Sequence, residues 1–505
     1  MNRVWGETSI GDLKAKELCR RTFQLSLSLL SYFRMKRKFL SILLLAVLVG
    51  WFNPSSGEIR LPAIIGSHMV LQQRSDVNLW GWCGPAETVT VKASWDTARY
   101  VTKGSSGAKW SIKIKTPGAG GPYTITINEH MILEDVMVGE VWVCSGQSNM
   151  EWSGDQKLQQ SLDEAPNANN KKIRFFYVPK ATSDYLQEDM KATWKVCTPE
   201  EMLHFSAIGY FFGSKIQKEL NVPVGLINSN WGGTPAEAWT PKELVEQDPI
   251  LKDASVKLNP ADWWPISPGA IYPAMIAPLT KFKIAGVIWY QGESNTSTYS
   301  TYTRLMTKMI GGWRAAWGYS FPFYYVQIAP FSYGNYNIGA LLREQQTALQ
   351  SVSKTGMVIV HDLVDDVGNI HPIKKMEVAD RLANLALADT YGMNGLNYKY
   401  PQYKGMILEK NRVRILFNHV ENGLMATAKD LNEFYIAGED QKFLFASARI
   451  EGNTVIVWNK AVKFPVAVRF GFSNTGIPNL FNKEGMPVNL FRTDSWEVKT
   501  DAVVK

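Results

Sequence analysis

The sequence predicts an α/β protein: a three-layer α/β/α domain with a mostly parallel five-stranded sheet, flanked by two β-sandwich-like modules. The middle of the chain, 135–395, alternates short apolar runs with longer amphipathic runs. This alternation is typical of a parallel sheet covered by helices on both faces. The segments 59–130 and 400–500 instead alternate apolar and polar residues between turns rich in Gly and Pro, which indicates short β-strands.

The N-terminus carries a pattern typical of an export signal. A basic triplet, Lys36-Arg37-Lys38, is followed by the apolar run FLSILLLAVLVGWF and the polar segment NPSSG, which predicts a signal peptide over 35–57. This run is shorter than the ~20 apolar residues that span a bilayer, although a retained membrane anchor is the alternative. Residues 1–34 have no role in such a signal, and we interpret them as an extension from a wrongly assigned start. We therefore expect a bacterial protein that is periplasmic or secreted, without a stable membrane anchor.

Charge and cysteine content exclude two classes of function. Residues 1–38 contain nine Lys or Arg and three acidic residues, which account for +6 of the net charge of +8. The rest of the chain is nearly neutral and lacks the clustered basic face of a nucleic-acid-binding protein. Three of the four cysteines follow the predicted signal, without a C-x-x-C spacing, which argues against a zinc site and a disulfide framework.

The individual elements follow from local patterns. In the N-terminal module the predicted strands are VNLWGWC, ETVTVKASW, KWSIKIKTP and PYTITINE. In the middle the five buried strands are EVWVCS, PVGLINSN, AGVIWYQG, FPFYYVQIA and GMVIVHD, and the helices cover 206–220, 302–317, 340–352 and 374–392. In the C-terminal module the strands lie within GMILEKNRVRILF, LFASARIEGNTVIVW and FPVAVRFGFS.

Ligand sites of parallel sheets lie beyond the carboxyl ends of the strands, and polar residues follow four of the predicted strands. They are Ser148 in SGQSNM, Gly232 and Gly233 in NWGGTP, Gln291 and Asn295 in QGESN, and Asp362, Asp365, Asp366 and His371 after the last strand. Each alone is explained by a turn, a helix cap or a solvated loop. Together they provide a nucleophile, backbone donors, side-chain amides and a base, which are the parts that acyl transfer needs.

Several longer blocks resemble those of the SGNH hydrolases, and more narrowly the sialate O-acetylesterase branch. They are SHMVLQQ, VGEVWVCSGQSNMEW, NSNWGGTPAEAW, MIAPLTKFKIAGVIWYQGESN, LLREQQ, NIHPIKK and LFNKEGMPVNLFRTD, and the likeness covers nearly all of residues 60–495. The resemblance implies an SGNH, flavodoxin-like fold. It also implies a serine esterase that removes O-acetyl groups from a sugar, expected to be sialic acid, without a metal or cofactor.

By this resemblance Ser148 is the nucleophile and His371 its base. Of the six histidines only His371 falls on a loop past the sheet edge. The backbone N–H groups of Ser148 and Gly233, with Gly232 as the neighbouring option, would form an oxyanion hole. The side-chain amide of Gln291 would be the third donor, and Asn295 is the second choice.

The acid of the triad is the departure from the family pattern. Relatives commonly have Asp three residues before the catalytic His, where this chain has Gly368. The substitutes are Asp362 or Asp366, with Asp365 or a backbone carbonyl as further options. An acid in this place fixes the tautomer of the imidazole and stabilises the imidazolium.

Two residues are candidates for substrate binding. Arg343 in LLREQQ could pair with a sialic acid carboxylate, because guanidinium presents a planar fork to carboxylates; the alternative is a charge on a helix surface. Trp152 could contact a sugar face or pack in the core. Two other functions remain open: an esterase for acetylxylan or another polysaccharide, and a non-catalytic carbohydrate-binding protein on the same fold.

Overall fold

The computed structural model describes residues 58–334 and 337–498, together with positions 17, 18, 20, 29 and 32–37. The chain divides into two units, Met1–Glu58 and Ile59–Lys505. In the first unit the described positions 32–37 are helical, and most of the predicted extension and of the signal peptide lies outside the described residues. Among the described residues, no helix combines the length and the apolar character needed to cross a membrane.

In the part of the second unit that the structure describes, thirteen strands precede the C-terminal module. They are β1 (Val70–Gln72), β2 (Asp76–Trp82), β3 (Thr88–Ala93), β4 (Arg99–Lys103), β5 (Lys109–Lys115), β6 (Gly120–Ile127), β7 (Met131–Gly146), β8 (Asn170–Tyr177), β9 (Trp194–Cys197), β10 (Val224–Asn230), β11 (Gly286–Tyr290), β12 (Phe323–Val326) and β13 (Thr355–Val358).

The central sheet has the order β13-β12-β11-β7-β10-β8-β9. All its pairs are parallel except β8 with β9, which are antiparallel at the edge. The five predicted strands are β7, β10, β11, β12 and β13, and the mostly parallel sheet is confirmed. Strands β8 and β9 were not predicted, because the apolar part of β8 is only IRFFY and contains an arginine. Every residue of β11 and β12 is buried, as a sheet covered on both faces requires.

Ten helices connect the strands in the described part of this unit. They are α1 (Ser148–Glu151), α2 (Gln159–Glu164), α3 (Pro199–His204), α4 (Ala207–Leu220), α5 (Ala236–Trp239), α6 (Lys242–Glu246), α7 (Pro249–Ser255), α8 (Tyr302–Trp317), α9 (Ile338–Ala348) and α10 (Lys375–Asp389). The four long ones, α4, α8, α9 and α10, coincide with the predicted helices. Ser206 caps α4 by accepting a hydrogen bond from Gly209 N, and α8 ends at Gly318 in the left-handed conformation, as helix ends favour.

The N-terminal module is continuous with the central sheet. Strand β7 pairs with β6 and β1 in its first half and with β10 and β11 in its second half. The apolar residues of the module and those of the α/β region form one core cluster. The predicted boundary near residue 130 therefore separates two parts of one packed body.

The C-terminal module has its own apolar core, which contains Val413, Phe434, Val457 and Phe470. Two four-stranded antiparallel sheets enclose it, with orders β14-β15-β20-β19 and β18-β17-β21-β23, and β16 pairs with β22. The strands are β14 (Gln402–Glu409), β15 (Arg412–Asn418), β16 (Leu424–Ala426), β17 (Phe434–Ala437), β18 (Leu444–Phe445), β19 (Ser447–Glu451), β20 (Thr454–Trp458), β21 (Ala467–Phe470), β22 (Leu480–Asn482) and β23 (Phe491–Arg492).

Candidate active site

Three strand ends meet at one point of the central sheet. Gly146, the last residue of β7, pairs with Tyr290 on one side and with Asn230 on the other. Its φ is +133°, and a Cβ on it would lie 2.2 Å from the Tyr290 carbonyl oxygen. Only glycine permits this close approach. The sheet therefore places the loops after β7, β10 and β11 side by side.

The structure brings Ser148 and His371 together across 223 residues of sequence. The Ser148 Oγ atom lies 2.9 Å from His371 Nε2, within the hydrogen-bonding distance that a base needs to remove the hydroxyl proton. Ser148 begins α1, directly after β7. The indole of Trp152 stacks on the imidazole with ring centres 4.5 Å apart, so Trp152 lies in the site beside the base.

His371 is held in its neutral form. Burial, and secondarily the positive charge of Lys375, lower its pKa to about 4. Its backbone N–H donates to Asn369 Oδ1 at 2.9 Å, which fixes the loop. Within the described ranges, no carboxylate forms a hydrogen bond or ion pair with the His371 ring.

The two carboxylates expected to orient His371 are engaged elsewhere, which corrects that expectation. Both oxygens of Asp362 accept from the Arg381 guanidinium, at 2.7 and 2.5 Å. Asp366 accepts from the N–H of Gly368 within its own turn at 2.8 Å. Asp365, the further option, pairs with Lys374. The His371 ring therefore depends on its loop and on Trp152 for its orientation.

The loop after β10 supplies one free backbone donor near the nucleophile. The N–H of Gly232 donates to Glu151 Oε2 at 2.5 Å, so it is already used. Within the described part of the chain the N–H groups of Ser148 and Gly233 have no acceptor. Gly233 has a φ of +78°, and a Cβ on it would lie 2.2 Å from Trp264 Cδ2. Of the two glycines, Gly233 is the one whose donor is available for an oxyanion.

The side-chain amides of Gln291 and Asn295 are not available as a third oxyanion donor, which corrects a second expectation. Gln291 is fully buried and its Nε2 donates to Asn295 Oδ1 at 2.7 Å. The Nδ2 of Asn295 donates to Glu237 Oε2 at 2.8 Å and to Thr298 Oγ1. Both amides thus satisfy buried groups below the site and hold the loop after β11 in place.

Arg343 is not exposed to a substrate, which corrects a third expectation. Its side chain is 1% exposed. The guanidinium donates to the carbonyl oxygens of Gly339 and Ser473, and Ser473 belongs to the C-terminal module. Arg343 therefore connects helix α9 to that module and does not line the site.

Sequence reasoning missed several residues that surround Ser148 and His371. Asn149, Glu293 and Lys375 form hydrogen-bonded contacts directly behind the pair. Glu151 joins α1 to the loop after β10 and pairs with Lys180 at 2.5 Å. All except Lys180 lie in the blocks GQSNMEW, QGESN and NIHPIKK. Membership of these blocks could have identified them as site residues, although their side-chain chemistry alone did not.

The comparisons with known proteins identify the chain as a member of a family of esterases. Among the described residues, no group of three or more His, Cys, Asp or Glu is arranged to hold a metal ion. Residues 138–388 match the family model described as carbohydrate esterase, sialic acid-specific acetylesterase. This range contains all the site residues named above.

Individual relatives extend this similarity beyond the central domain. A sialate O-acetylesterase from Pongo abelii is 31% identical over 396 residues, which cover 70% of this chain and 75% of the relative. The corresponding human protein is 30% identical with the same coverage. The crystal structure of a carbohydrate acetylesterase from Xanthomonas citri aligns with a TM-score of 0.79 and 34% identity, covering 87% of this chain and all of the neighbour. The chain therefore belongs to the carbohydrate esterase family of sialic acid-specific acetylesterases, and it is a carboxylic ester hydrolase.

Proposed function

We propose that this protein is an SGNH-type serine esterase that hydrolyses O-acetyl esters of sialic acid through an acyl-enzyme on Ser148. The observation that carries the proposal is the 2.9 Å contact between Ser148 Oγ and His371 Nε2. A serine hydroxyl becomes an effective nucleophile only when a base takes its proton. His371 is neutral over a wide pH range because its pKa lies near 4.

The reaction follows from this geometry in two halves. Ser148 Oγ attacks the acetyl carbonyl carbon while His371 Nε2 takes the hydroxyl proton. The carbonyl oxygen becomes an oxyanion, which the N–H groups of Ser148 and Gly233 stabilise. The tetrahedral intermediate then collapses, the C–O bond to the sugar breaks, and His371 returns the proton to the sugar oxygen. Water then attacks the acetyl-serine while His371 takes one of its protons, the bond between the acetyl carbon and Ser148 Oγ breaks, and His371 returns the proton to Oγ as acetate leaves.

The carboxylate of a sialic acid needs a cationic partner, and Lys180 meets this need better than the buried Arg343. Lys180 is about half exposed and pairs with Glu151 Oε1 at 2.5 Å. Its ammonium lies 6.0 Å from the ring centre of Trp231. Because the other oxygen of Glu151 accepts from Gly232, Lys180 lies at the rim of the nucleophile loop. An ammonium beside an indole suits an anionic sugar.

The test is acetate release by the wild type and by Ser148→Ala on two substrates, O-acetylated sialic acid and acetylated xylan. We expect the wild type to prefer the sialic acid ester and Ser148→Ala to lose turnover on both. Ser297→Ala is the control, since Ser297 is an exposed serine two residues after Asn295 and its loss should leave turnover unchanged. Retained turnover in Ser148→Ala would refute the nucleophile, and a preference for xylan would refute the substrate.

We also infer that the protein acts outside the cytoplasm. The basic triplet at 36–38 and the apolar run that follows it support export. N-terminal sequencing of the mature protein from the producing cells should find a start near residue 58. A mature chain that still contains residues 35–57 would contradict this inference.

A further inference from the structure

A buried polar cluster lies directly behind Ser148 and His371, and it consists of Asn149, Glu293 and Lys375. Lys375 Nζ donates to Asn149 Oδ1 at 2.6 Å. Asn149 Nδ2 donates to Glu293 Oε1 at 2.5 Å and to the Ile370 carbonyl oxygen at 3.1 Å. Asn149, Glu293 and Lys375 are only 1%, 7% and 1% exposed. The acyl-transfer chemistry described above uses none of the three.

The Asn149 side chain joins the two halves of the catalytic pair. Asn149 follows the nucleophile Ser148 in α1, and Ile370 immediately precedes His371. The hydrogen bond from Nδ2 to the Ile370 carbonyl therefore connects the turn of the nucleophile to the loop of the base. Glu293 anchors the same amide to the loop after β11.

Lys375, Ile370 and Glu293 together fix which way the Asn149 amide points. An ammonium only donates hydrogen bonds, so the atom of Asn149 facing it must be the carbonyl oxygen. The NH₂ group is then directed at Ile370 and Glu293, both of which are acceptors. If the Lys375 donor were lost, the buried Asn149 Oδ1 would lose its hydrogen bond and the amide would be held from one side only, which would weaken the connection to the His371 loop.

The cluster is electrostatically costly. Burial lowers the pKa of Lys375 to about 7, against the opposing effect of Glu293, and burial raises the pKa of Glu293. Glu293 Oε2 has no hydrogen-bond partner among the described residues. The Lys375 ammonium lies 5.7 and 5.6 Å from the ring centres of Trp152 and Tyr290, which offsets part of the cost. Since an apolar replacement of buried charges is often neutral or stabilising, stability alone is a poor explanation for Lys375.

We propose that Lys375 is a positioning residue for the acyl transfer. Through Asn149 it holds the His371 loop against the nucleophile, in a site where no described carboxylate orients the imidazole. This inference rests on the function proposed above. Lys375 does not touch the reacting atoms. Its contribution is geometric, and its loss should therefore lower kcat more than it raises KM.

The experiment compares two variants of Lys375 with a matched control. Lys375→Met removes the donor and the charge, whereas Lys375→Gln removes the charge and keeps a donor. Lys374→Met is the control, because Lys374 immediately precedes the same helix and has the same charge but pairs with Asp365 at the surface. All four proteins are assayed for acetate release against pH, with Tm and the fraction of serine labelled by an organophosphate.

We expect Lys375→Met to lose about 10–100-fold in kcat, the scale on which a misplacement of about 1 Å affects a reaction. Lys375→Gln should recover most of this loss. In both variants the acid limb of kcat/KM should move to higher pH, because the cation that disfavours imidazolium beside Ser148 and Trp152 is gone. Lys374→Met should retain the wild-type kcat and the wild-type acid limb.

Two results would overturn the proposal. The first is a Lys375→Met enzyme with the kcat and acid limb of Lys374→Met. The second is a loss of activity matched by an equal loss of labelled serine and a lower Tm, since that describes partial unfolding. A full activity in Ser148→Ala would instead remove the proposed function itself, so the two failures are distinguishable.

Discussion

Gly233→Ala tests whether the loop after β10 stabilises an oxyanion. At this position φ is +78°, and a Cβ would lie 2.2, 2.4 and 2.5 Å from three atoms of the Trp264 indole. Normal carbon contacts are about 3.5–4.0 Å, so either the indole or the Gly233 backbone must move. Ser294 Oγ donates to the Gly233 carbonyl oxygen, which fixes the peptide after Gly233. We therefore expect the preceding peptide, which carries the Gly233 N–H, to rotate that donor away from Ser148.

The expected effect has two separable parts. A non-glycine residue in the left-handed conformation costs about 1–2 kcal/mol of stability. Loss of one oxyanion donor costs about 10²–10³ in kcat, with little change in KM because the oxyanion exists only in the transition state. The signature of the variant is therefore a large loss of kcat with a small loss of stability.

Gly395→Ala is the matched control, since Gly395 has a φ of +79° and no atom within 4 Å of the added Cβ. In a urea titration it should show the loss of unfolding free energy that the left-handed conformation alone causes, and its kcat for acetate release should be unchanged. A second variant, Gly233→Ala with Trp264→Ala, removes the steric conflict and should recover part of the kcat. If Gly233→Ala kept a wild-type kcat, the assignment of its N–H to the oxyanion hole would be wrong.

Three further outcomes follow from the contacts of the site. Asp362→Asn should lower the unfolding free energy by about 1–3 kcal/mol, because it weakens the ion pair with Arg381, and should leave kcat nearly unchanged. A large loss of kcat without destabilisation would instead indicate that Asp362 is the triad acid. Lys180→Met should raise KM for O-acetylated sialic acid and leave 4-nitrophenyl acetate turnover unchanged, and equal effects on both esters would exclude carboxylate recognition. The neutral form of His371 is the active base, and its pKa is lowered to about 4. The value of kcat/KM should therefore stay constant down to about pH 5 and decrease at lower pH. An acid limb centred near 6.5, the ordinary pKa of histidine, would contradict the buried environment of the ring.

The proximity of Ser148 and His371 could be predicted because sheet topology converts sequence position into spatial position. Parallel strands end at one edge, so the residues after β7 and β10 had to lie together once the strands were recognised. The same rule predicts that the loop after β10, which contains Gly232 and Gly233, lies beside Ser148. His371 followed by elimination, since the sequence predicts the other histidines within a strand, in the β modules or before a helix.

The roles of the remaining site residues were predicted wrongly because the strand-end rule gives the position of a residue in the sheet. It does not give the direction of the side chain or its hydrogen-bond partner. Asp362 follows the last strand as expected, but its guanidinium partner lies on α10, 19 residues later. Gln291 and Asn295 also lie at a strand end, but they point below the loop and pair with each other. Arg343 reads as a helix-surface charge until the C-terminal module covers it.

Strand β7 has 16 residues, and its length determines what can be removed from this protein. Its first half belongs to the N-terminal module and its second half ends one residue before the turn that carries the nucleophile. In an enzyme whose accessory module is joined by a linker, the module can be deleted without loss of activity. Here the deletion of the N-terminal module would cut through β7, the strand that supports Ser148. We therefore expect the N-terminal module to be required for activity, and a minimal active fragment to begin before Val70.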